Sequence, residues 1–287
     1  MPIENIILSN DQRGITLLQS ELKPGYVNRS ADLILDNPGK VFITTGFYIS
    51  KANTIETDGP PGAIAIGNAL YKIGYQVIYI TDSYSTPFIK EIRHKQSRLI
   101  EFPIMGVNES KEYALKLMEK EQPNLLIAIE RPGSYIDDKY RNMRDEEFTK
   151  FTARIDQLFA LHENTIGIGD GGNEIGMGNL FAKIQDNNIV KYPSTSKVSE
   201  LIISSVSNWG GYGLVGALSI KTGKDLLPSP SQDSLLISKL VDMGAVDGIY
   251  ANNEYKVDGF TMKENSKVLI NISDFVKPYL TQKPTET

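Results

Sequence analysis

The sequence contains no cysteine and only two histidines, His94 and His162. The absence of cysteine excludes a disulfide framework, a thiolate nucleophile and an iron–sulfur site. A zinc enzyme is not expected, because three nitrogen or sulfur ligands cannot be collected from two histidines and no cysteine. Any bound metal is expected to be a hard cation, Mg²⁺ or Mn²⁺, held by carboxylates.

The chain also lacks an excess of positive charge and a long apolar run. Thirty Lys and Arg residues against thirty-five Asp and Glu residues leave a net charge of −5, so nucleic acid is not expected as a partner. No apolar run approaches the roughly eighteen residues that span a bilayer, and the first residues, MPIE, do not resemble a secretion signal. We therefore expect a cytoplasmic protein without a membrane partner.

Short apolar runs rich in β-branched residues alternate with amphipathic stretches. The runs are Lys40–Thr45, Tyr75–Thr81, Arg98–Pro103, Asn124–Ile129, Thr165–Gly169 and Leu201–Val206. Their nearly continuous hydrophobicity is typical of strands that are buried on both faces. The alternation predicts an α/β fold, with a mostly parallel, doubly wound sheet and helices on both faces.

The helices are expected at Gly62–Ile73, Thr86–Gln96, Ser110–Glu121 and, as a longer element, Asp145–Leu161. No linker divides the chain convincingly, so we predict a single domain over residues 1–280. Its C-terminal extension, after Gly244, is expected to be irregular. Residues 281–287 are predicted to form a disordered tail.

Glycine, proline and carboxylate residues concentrate directly after the predicted strands. Such segments follow five of them: Thr44–Ala63, Thr81–Asp82, Glu130–Gly133, Gly167–Asn179 and Ser207–Gly213. Turn formation and helix capping explain any one of these loops equally well. Because ligands bind outside the carboxyl ends of strands in open parallel sheets, the five loops together predict one shared cleft.

Several of these residues have two interpretations. Glu130 follows a buried run, so burial would raise its pKa and suit it to act as a base. Arg131 is either a salt-bridge partner or a ligand contact, and Asp82 has the same ambiguity. Glu56 and Asp58 are typical of a solvated acidic loop but also lie at the expected cleft.

Two residues of the loop Ser207–Gly213 indicate different roles. Trp209, the only tryptophan, is more often a core residue than part of a cleft wall. Asn208 precedes two glycines and has less structural reason to be there. We include both among the residues of the predicted cleft.

Gly167, Gly169 and Gly172 fit the dinucleotide pattern G-x-G-x-x-G. However, Asp170 and Glu174 would place negative charge beside a pyrophosphate, and no ribose-binding acid follows at the usual distance. Neither a nicotinamide nor a flavin cofactor is therefore expected. A small ligand with an ammonium group or a bound cation explains these acids better, and the backbone of Asp170–Gly178, as the start of a helix, would suit an anion.

Five segments occur in the same order in the D-glutamate cyclase family: Thr44–Phe47, Glu56–Ala63, Ile129–Arg131, Gly169–Gly178 and Ser207–Tyr212. The sequence resembles this family from about Asp11 to about Lys224. The resemblance is to the C-terminal part of the longer mitochondrial members, which carry an additional N-terminal domain. The block Gly169–Gly178 is highly specific, whereas Pro132 stands where the family has a small residue. Membership implies a carbon–oxygen lyase that dehydrates D-glutamate to 5-oxo-D-proline, binding D-glutamate or a similar acidic amino acid.

That chemistry needs a base for the ammonium group, an acid for the leaving oxygen and donors for the developing oxyanion. We expect Glu130 or Asp170 as base and Glu174 or Asp82 as acid. The expected substrate-binding residues are Thr45, Gly46, Arg131, Gly171, Gly172, Asn173 and Asn208, and the expected metal ligands are Asp82, Asp170 and Glu174.

Other functions fit the same residues. The protein could bind or sense an acidic amino acid without turnover, or be a related small-molecule lyase or hydrolase. A nucleotide-binding enzyme is the least favoured alternative. The sequence determines neither the preferred enantiomer nor the oligomeric state.

Overall fold

The six apolar runs form one parallel sheet in the computed structural model, which describes residues 2–281. The strands are β1 Lys40–Thr44, β2 Tyr48–Ile49, β3 Thr54–Ile55, β4 Gln76–Thr81, β5 Arg98–Glu101, β6 Leu125–Ile129, β7 Thr165–Gly169, β8 Glu200–Ile203, β9 Lys256–Val257 and β10 Phe260–Thr261. The α-helices are α1 Ile3–Ile7, α2 Tyr26–Asp36, α3 Pro60–Lys72, α4 Thr86–Ile92, α5 Val107–Glu121, α6 Asp156–Phe159, α7 Phe181–Asp186, α8 Ser207–Thr222, α9 Pro230–Asp242 and α10 Met262–Thr281. Short 3₁₀ helices cover Ile15–Glu21, Thr149–Phe151 and Met177–Leu180.

The central sheet has the strand order β5-β4-β1-β6-β7-β8. The chain moves outward from β1 through β4 to β5, then returns to the other side of β1 and continues through β6, β7 and β8. Val41 of β1 pairs with Val77 of β4 on one side and with Leu125 of β6 on the other. The predicted doubly wound fold is therefore confirmed, and the order reverses between β1 and β6, where such sheets open a ligand-binding crevice.

Side chains of each central strand alternate between two apolar cores. In β1, Val41 and Ile43 join a core that includes residues of α2, α3 and α8. Phe42 points to the opposite core, which includes residues of α5 and α6. Both sheet faces are thus covered, which explains why the strands read as continuous apolar runs rather than as alternating ones.

The helix expected over Asp145–Leu161 is wrong. Only Thr149–Phe151 and Asp156–Phe159 are helical in this stretch. Between them, the Ala153 N–H donates to Asp82 at 3.4 Å and the Ala153 carbonyl accepts from Arg131 at 2.8 Å. Tertiary hydrogen bonds have replaced the local bonds that a continuous helix would need.

The C-terminal region is more regular than the sequence indicates. It contains α9, the β9–β10 hairpin and the long helix α10, which packs against α8. Thr281, expected in a disordered tail, is the last residue of α10, and the rest of that predicted tail, 282–287, lies outside the described residues. Within residues 2–281, no helix has both the length and the apolar composition needed to cross a bilayer.

Candidate active site

The carboxyl edge of the sheet carries a cavity of about 110 Å³ near the point where the strand order reverses. Arg13, Glu56, Glu130 and Asn173 contribute polar groups to its wall. Segments 49–51, 142–146 and 248–249 supply further lining residues, so distant parts of the chain meet here.

Six buried carboxylates gather at this edge of the sheet: Glu56 and Glu130 line the cavity, and Asp58, Asp170, Glu174 and Asp258 lie close to Glu130. Their oxygens form two overlapping groups, each with all atoms within 4.8 Å of one another: Asp58, Asp170 and Asp258, and Glu130, Asp170 and Glu174. Asp170 belongs to both groups and is therefore the centre of the cluster.

Arg13 supplies positive charge to the cluster. One of its terminal nitrogens donates to Asp170 and the other donates to Asp258 at 2.6 Å. Asp170 Oδ2 and Asp258 Oδ1 nevertheless have no hydrogen-bond partner among residues 2–281. The site has acceptor capacity that the described protein atoms leave unused, which suits a cationic group of a ligand.

Burial and mutual repulsion raise the pKa values of four of these acids, Glu56, Asp58, Glu130 and Asp170. Burial, followed by the carboxylates of Glu174 and Glu56, raises the pKa of Glu130 well above its usual range. Burial also raises the pKa of Asp170, against the opposing effect of Arg13. The pKa of Asp58 is raised to about 7, chiefly by burial. Near neutral pH Asp58 is therefore partly protonated, and burial favours the protonated forms of Glu130 and Asp170 as well.

Glu130 has the backbone conformation of a strained functional residue. Its φ angle is 43°, in the left-handed region that non-glycine residues seldom adopt. Glu130 lines the cavity, and its Oε2 accepts a hydrogen bond from the buried Ser207 hydroxyl at 2.6 Å. Glu130 is thus a carboxyl group that the fold holds in place at the cavity wall.

Asp58 and Asn208 form a reciprocal clasp between α3 and α8. The Asp58 carboxylate accepts from the backbone N–H groups of Ser207 and Asn208, each at 2.8 Å, and so caps α8. In return, Asn208 Oδ1 accepts from the N–H groups of Gly59 and Gly62 at 3.0 and 2.8 Å, at the start of α3. The Asn208 amide, expected to bind substrate, is therefore hydrogen-bonded to the backbone of the loop before α3. Asp58 both caps a helix and belongs to the acid cluster.

Glu174 closes the glycine-rich loop after β7. Its carboxylate accepts from the backbone N–H groups of Asp170, Gly171 and Gly172 at 3.1, 2.6 and 2.7 Å. The helix expected to begin at Asp170 is wrong, because residues 170–176 form bends, an isolated β-bridge from Glu174 to Pro132 and a turn. The N–H groups of Gly171 and Gly172, expected to hold a substrate anion, already hold this carboxylate.

The same loop requires glycine at positions 167 and 169. An added Cβ on Gly167 would lie 2.5 Å from the Ile175 carbonyl oxygen, and one on Gly169 would lie 2.8 Å from the Met177 side chain. The loop folds back onto β7 at these two positions and leaves no room for a side chain. Close packing therefore explains these two glycines of the dinucleotide-like pattern.

Arg131 and Asp82 pair with each other below the cavity. Arg131 is 1% exposed, and its guanidinium lies 2.6 Å from the Asp82 carboxylate. It also donates to the carbonyl of Gly46 at 3.0 Å, while Asp82 accepts from the N–H of Ser85 at 3.2 Å. The pair links three strand-end loops, and Asp82 belongs to neither group of close carboxylates.

The remaining expected residues are distributed between the site and the core. The Thr45 hydroxyl is buried without a partner among the described residues. Asn173 lines the cavity and donates to the Arg141 carbonyl at 2.9 Å. Trp209 is completely buried, and its Nε1 donates to Asn265 at 2.8 Å, so it is a core residue.

Arg13 and Asp258 were not predicted from the sequence. Arg13 lies in a turn whose N–H groups bond to Asp11, at 2.9 Å for Arg13 and 3.0 Å for Gly14. Asp258 precedes Gly259 in the β9–β10 turn, with a positive φ angle. Asp-Gly is a hairpin signal, and the Asp11 pattern is a turn signal, so both motifs indicate loops rather than a site.

Comparison with known proteins identifies the family of this chain. Residues 3–273 match a family model described as D-glutamate cyclase-like, C-terminal, which extends well beyond the region of resemblance expected to end near Lys224. The mitochondrial D-glutamate cyclase of Homo sapiens is 30% identical over 212 residues, covering 66% of this chain and 34% of that protein. The chain thus spans about a third of the length of that relative. This protein belongs to the D-glutamate cyclase-like family, to whose C-terminal domain nearly its whole length corresponds.

Proposed function

We propose that this protein dehydrates D-glutamate to 5-oxo-D-proline, as a carbon–oxygen lyase acting in the acidic cavity. The family and the name of the human relative support the reaction type. The observation that carries the proposal is the position of Glu130, a buried carboxyl group of raised pKa, in the wall of a cavity that also has cationic lining residues.

The charges of the cavity complement those of the substrate. D-Glutamate has one ammonium group and two carboxylates. Glu56 and Glu130 offer acceptors to the ammonium group, and the exposed side chains of Lys51 and Arg144 at the mouth offer donors to the carboxylates. Binding in this orientation would fold the substrate so that its amine approaches its γ-carboxylate, and this proximity supplies much of the rate.

The reaction forms one N–C bond and breaks one C–O bond. Two protons leave the ammonium nitrogen, and the departing oxygen takes up two protons to become water. The Glu130 carboxylate raises the pKa of Asp170, so one of the two can hold a proton while the other is ionised. The ionised member accepts a proton from the ammonium group, and the protonated member donates one to the departing oxygen.

We place the expected Mg²⁺ or Mn²⁺ at a set of carboxylates that differs from the set expected from the sequence. Asp58, Asp170 and Asp258 offer close carboxylate oxygens, two of them without a hydrogen-bond partner among the described residues. These hard ligands suit either ion, whose charge would favour the ionised acids. Full activity after exhaustive chelation would reject this part of the proposal.

The direct test is incubation of the purified protein with D-glutamate and, separately, L-glutamate. Loss of primary amine and appearance of 5-oxoproline on a chiral column would establish turnover and its enantiomer. Glu130→Gln and Asp170→Asn should each lower kcat by at least about a hundredfold, as expected for proton-transfer groups. Glu147→Gln is the control, because Glu147 is exposed and pairs with Lys139 outside the cavity.

Two outcomes would contradict the proposal. Near-normal turnover in both cavity variants, with unchanged circular dichroism, would remove these acids from the chemistry. Saturable binding of D-glutamate without any product would instead support the alternative of a binding or sensing protein.

A further inference from the structure

A second cavity lies between α3, α9 and the segment that joins α8 to α9. Its volume is about 450 Å³, within the range of roughly 300–1,000 Å³ that natural small-molecule pockets occupy. Most of its wall is apolar, including Ile64, Ala65, Ile92, Leu226, Leu227 and Leu236. It shares no lining residue with the acidic cavity.

One carboxylate interrupts this apolar wall. Asp233 of α9 lines the cavity and is 3% exposed. Its Oδ1 accepts a hydrogen bond from the Tyr212 hydroxyl of α8, whereas its Oδ2 has no partner among residues 2–281. A buried carboxylate oxygen without a donor is unfavourable, and a ligand that supplies the donor would relieve that cost.

The protonation state and the surroundings of Asp233 favour a cationic donor. Burial raises its pKa to about 6, so the group is mostly ionised above neutral pH. No salt bridge to Asp233 occurs in the described part of the chain. Two basic residues also line the cavity: Lys72, which is exposed, and His94, which stacks on Tyr71 with ring centroids 4.3 Å apart. Neither is a salt-bridge partner of Asp233 within residues 2–281.

We propose that this cavity is a second ligand site for a small molecule with a protonated amine on an apolar body. The amine donates to Asp233 Oδ2, and the body packs against Ile64, Leu226 and Leu236. A carboxylate would be repelled by Asp233, and an alcohol would offer a neutral and therefore weaker hydrogen bond. The proposal does not depend on cyclase activity, because the two cavities are separate.

Isothermal titration with three matched probes tests this site: 3-phenylpropylamine, 3-phenylpropan-1-ol and 3-phenylpropionate. At about pH 8 the amine is protonated and Asp233 is ionised. The amine should bind at least about tenfold more tightly than the alcohol, and this advantage should vanish in Asp233→Asn. Asparagine retains an oxygen that can accept from Tyr212, so the variant keeps the internal contact.

Three further variants test whether binding occurs in this cavity. Leu236→Trp fills the cavity without changing the carboxylate and should abolish binding of the amine. Leu235→Trp is the control, because Leu235 is 72% exposed on the same helix and does not line the cavity. Asp170→Asn should leave amine binding unchanged. The proposal is overturned by equal affinity for amine and alcohol, by tightest binding of the acid, by failure of all three probes, or by amine binding that depends on Asp170 rather than Asp233.

Discussion

Replacing Asn208 with alanine should destabilise the protein through loss of the clasp between α3 and α8. The side chain is 1% exposed and makes three hydrogen bonds, two from the N–H groups of Gly59 and Gly62 and one to the Thr57 carbonyl. The variant leaves the Gly62 N–H and the Thr57 carbonyl buried without this partner, at about 1–3 kcal/mol each, whereas the Gly59 N–H keeps its bond to Asp58 at 2.9 Å. Because the loop can relax, we expect a total loss of about 2–4 kcal/mol rather than the full sum.

Urea-induced unfolding measures this loss, with the fluorescence of the buried Trp209 as the signal. Asn187→Ala is the matched control, since its exposed amide donates only to the Lys183 carbonyl, and it should change the free energy of unfolding by less than about 0.5 kcal/mol. A loss below about 1 kcal/mol in Asn208→Ala, together with a raised KM for D-glutamate, would refute the structural role and support the substrate contact that the sequence suggested.

Three other predictions concern stability. Burial raises the pKa of Asp58 from the ordinary 3.8 to about 7, so between these values the folded protein binds more protons than the unfolded chain. The free energy of unfolding should therefore fall as the pH rises from about 4 to about 7, and urea titrations across this window should show a shallower fall in Asp58→Asn. Asp82→Asn removes the charged partner of the buried Arg131 and should cost about 3–5 kcal/mol, while a melting temperature within about 2 °C of wild type would argue against a buried ion pair. Gly169→Ala places a Cβ 3.0 Å from the Glu174 carboxyl carbon and should cost about 1–3 kcal/mol, measured by urea unfolding; an unchanged midpoint would mean that the loop shifts freely.

The sheet could be predicted from the sequence because its six strands are buried on both faces. Each therefore appears as a short apolar run, and parallel strands place all their carboxyl ends at one edge. For the same reason, the gathering of Glu130 and Asp170 at one edge could be anticipated. The expected helix over Asp145–Leu161 failed because its backbone is held by Asp82 and Arg131, which local periodicity does not record.

The roles of individual acids could not be predicted in the same way. A carboxylate in a loop that follows a strand has the same sequence signature whether it caps a helix, as Asp58 does, or faces a cavity, as Glu130 does. The Glu174 carboxylate accepts a hydrogen bond from the backbone of its own loop, a contact that is visible only in the fold. Glycines are equally ambiguous. Position 211 requires glycine because the Cα atom of Gly62 lies 3.1 Å from where a Cβ on residue 211 would be.

The acid cluster takes its residues from nearly the full length of the chain. Arg13 precedes the first central strand, and Asp258 follows the last one by more than fifty residues, yet both bond within the same cluster. A fragment trimmed to the strand-and-helix segment 40–222 would keep all six central strands but lose the cation and one of its carboxylate partners. The shortest piece of this polypeptide that can assemble the complete cluster therefore runs from residue 13 to residue 258, a constraint for anyone who dissects or permutes it.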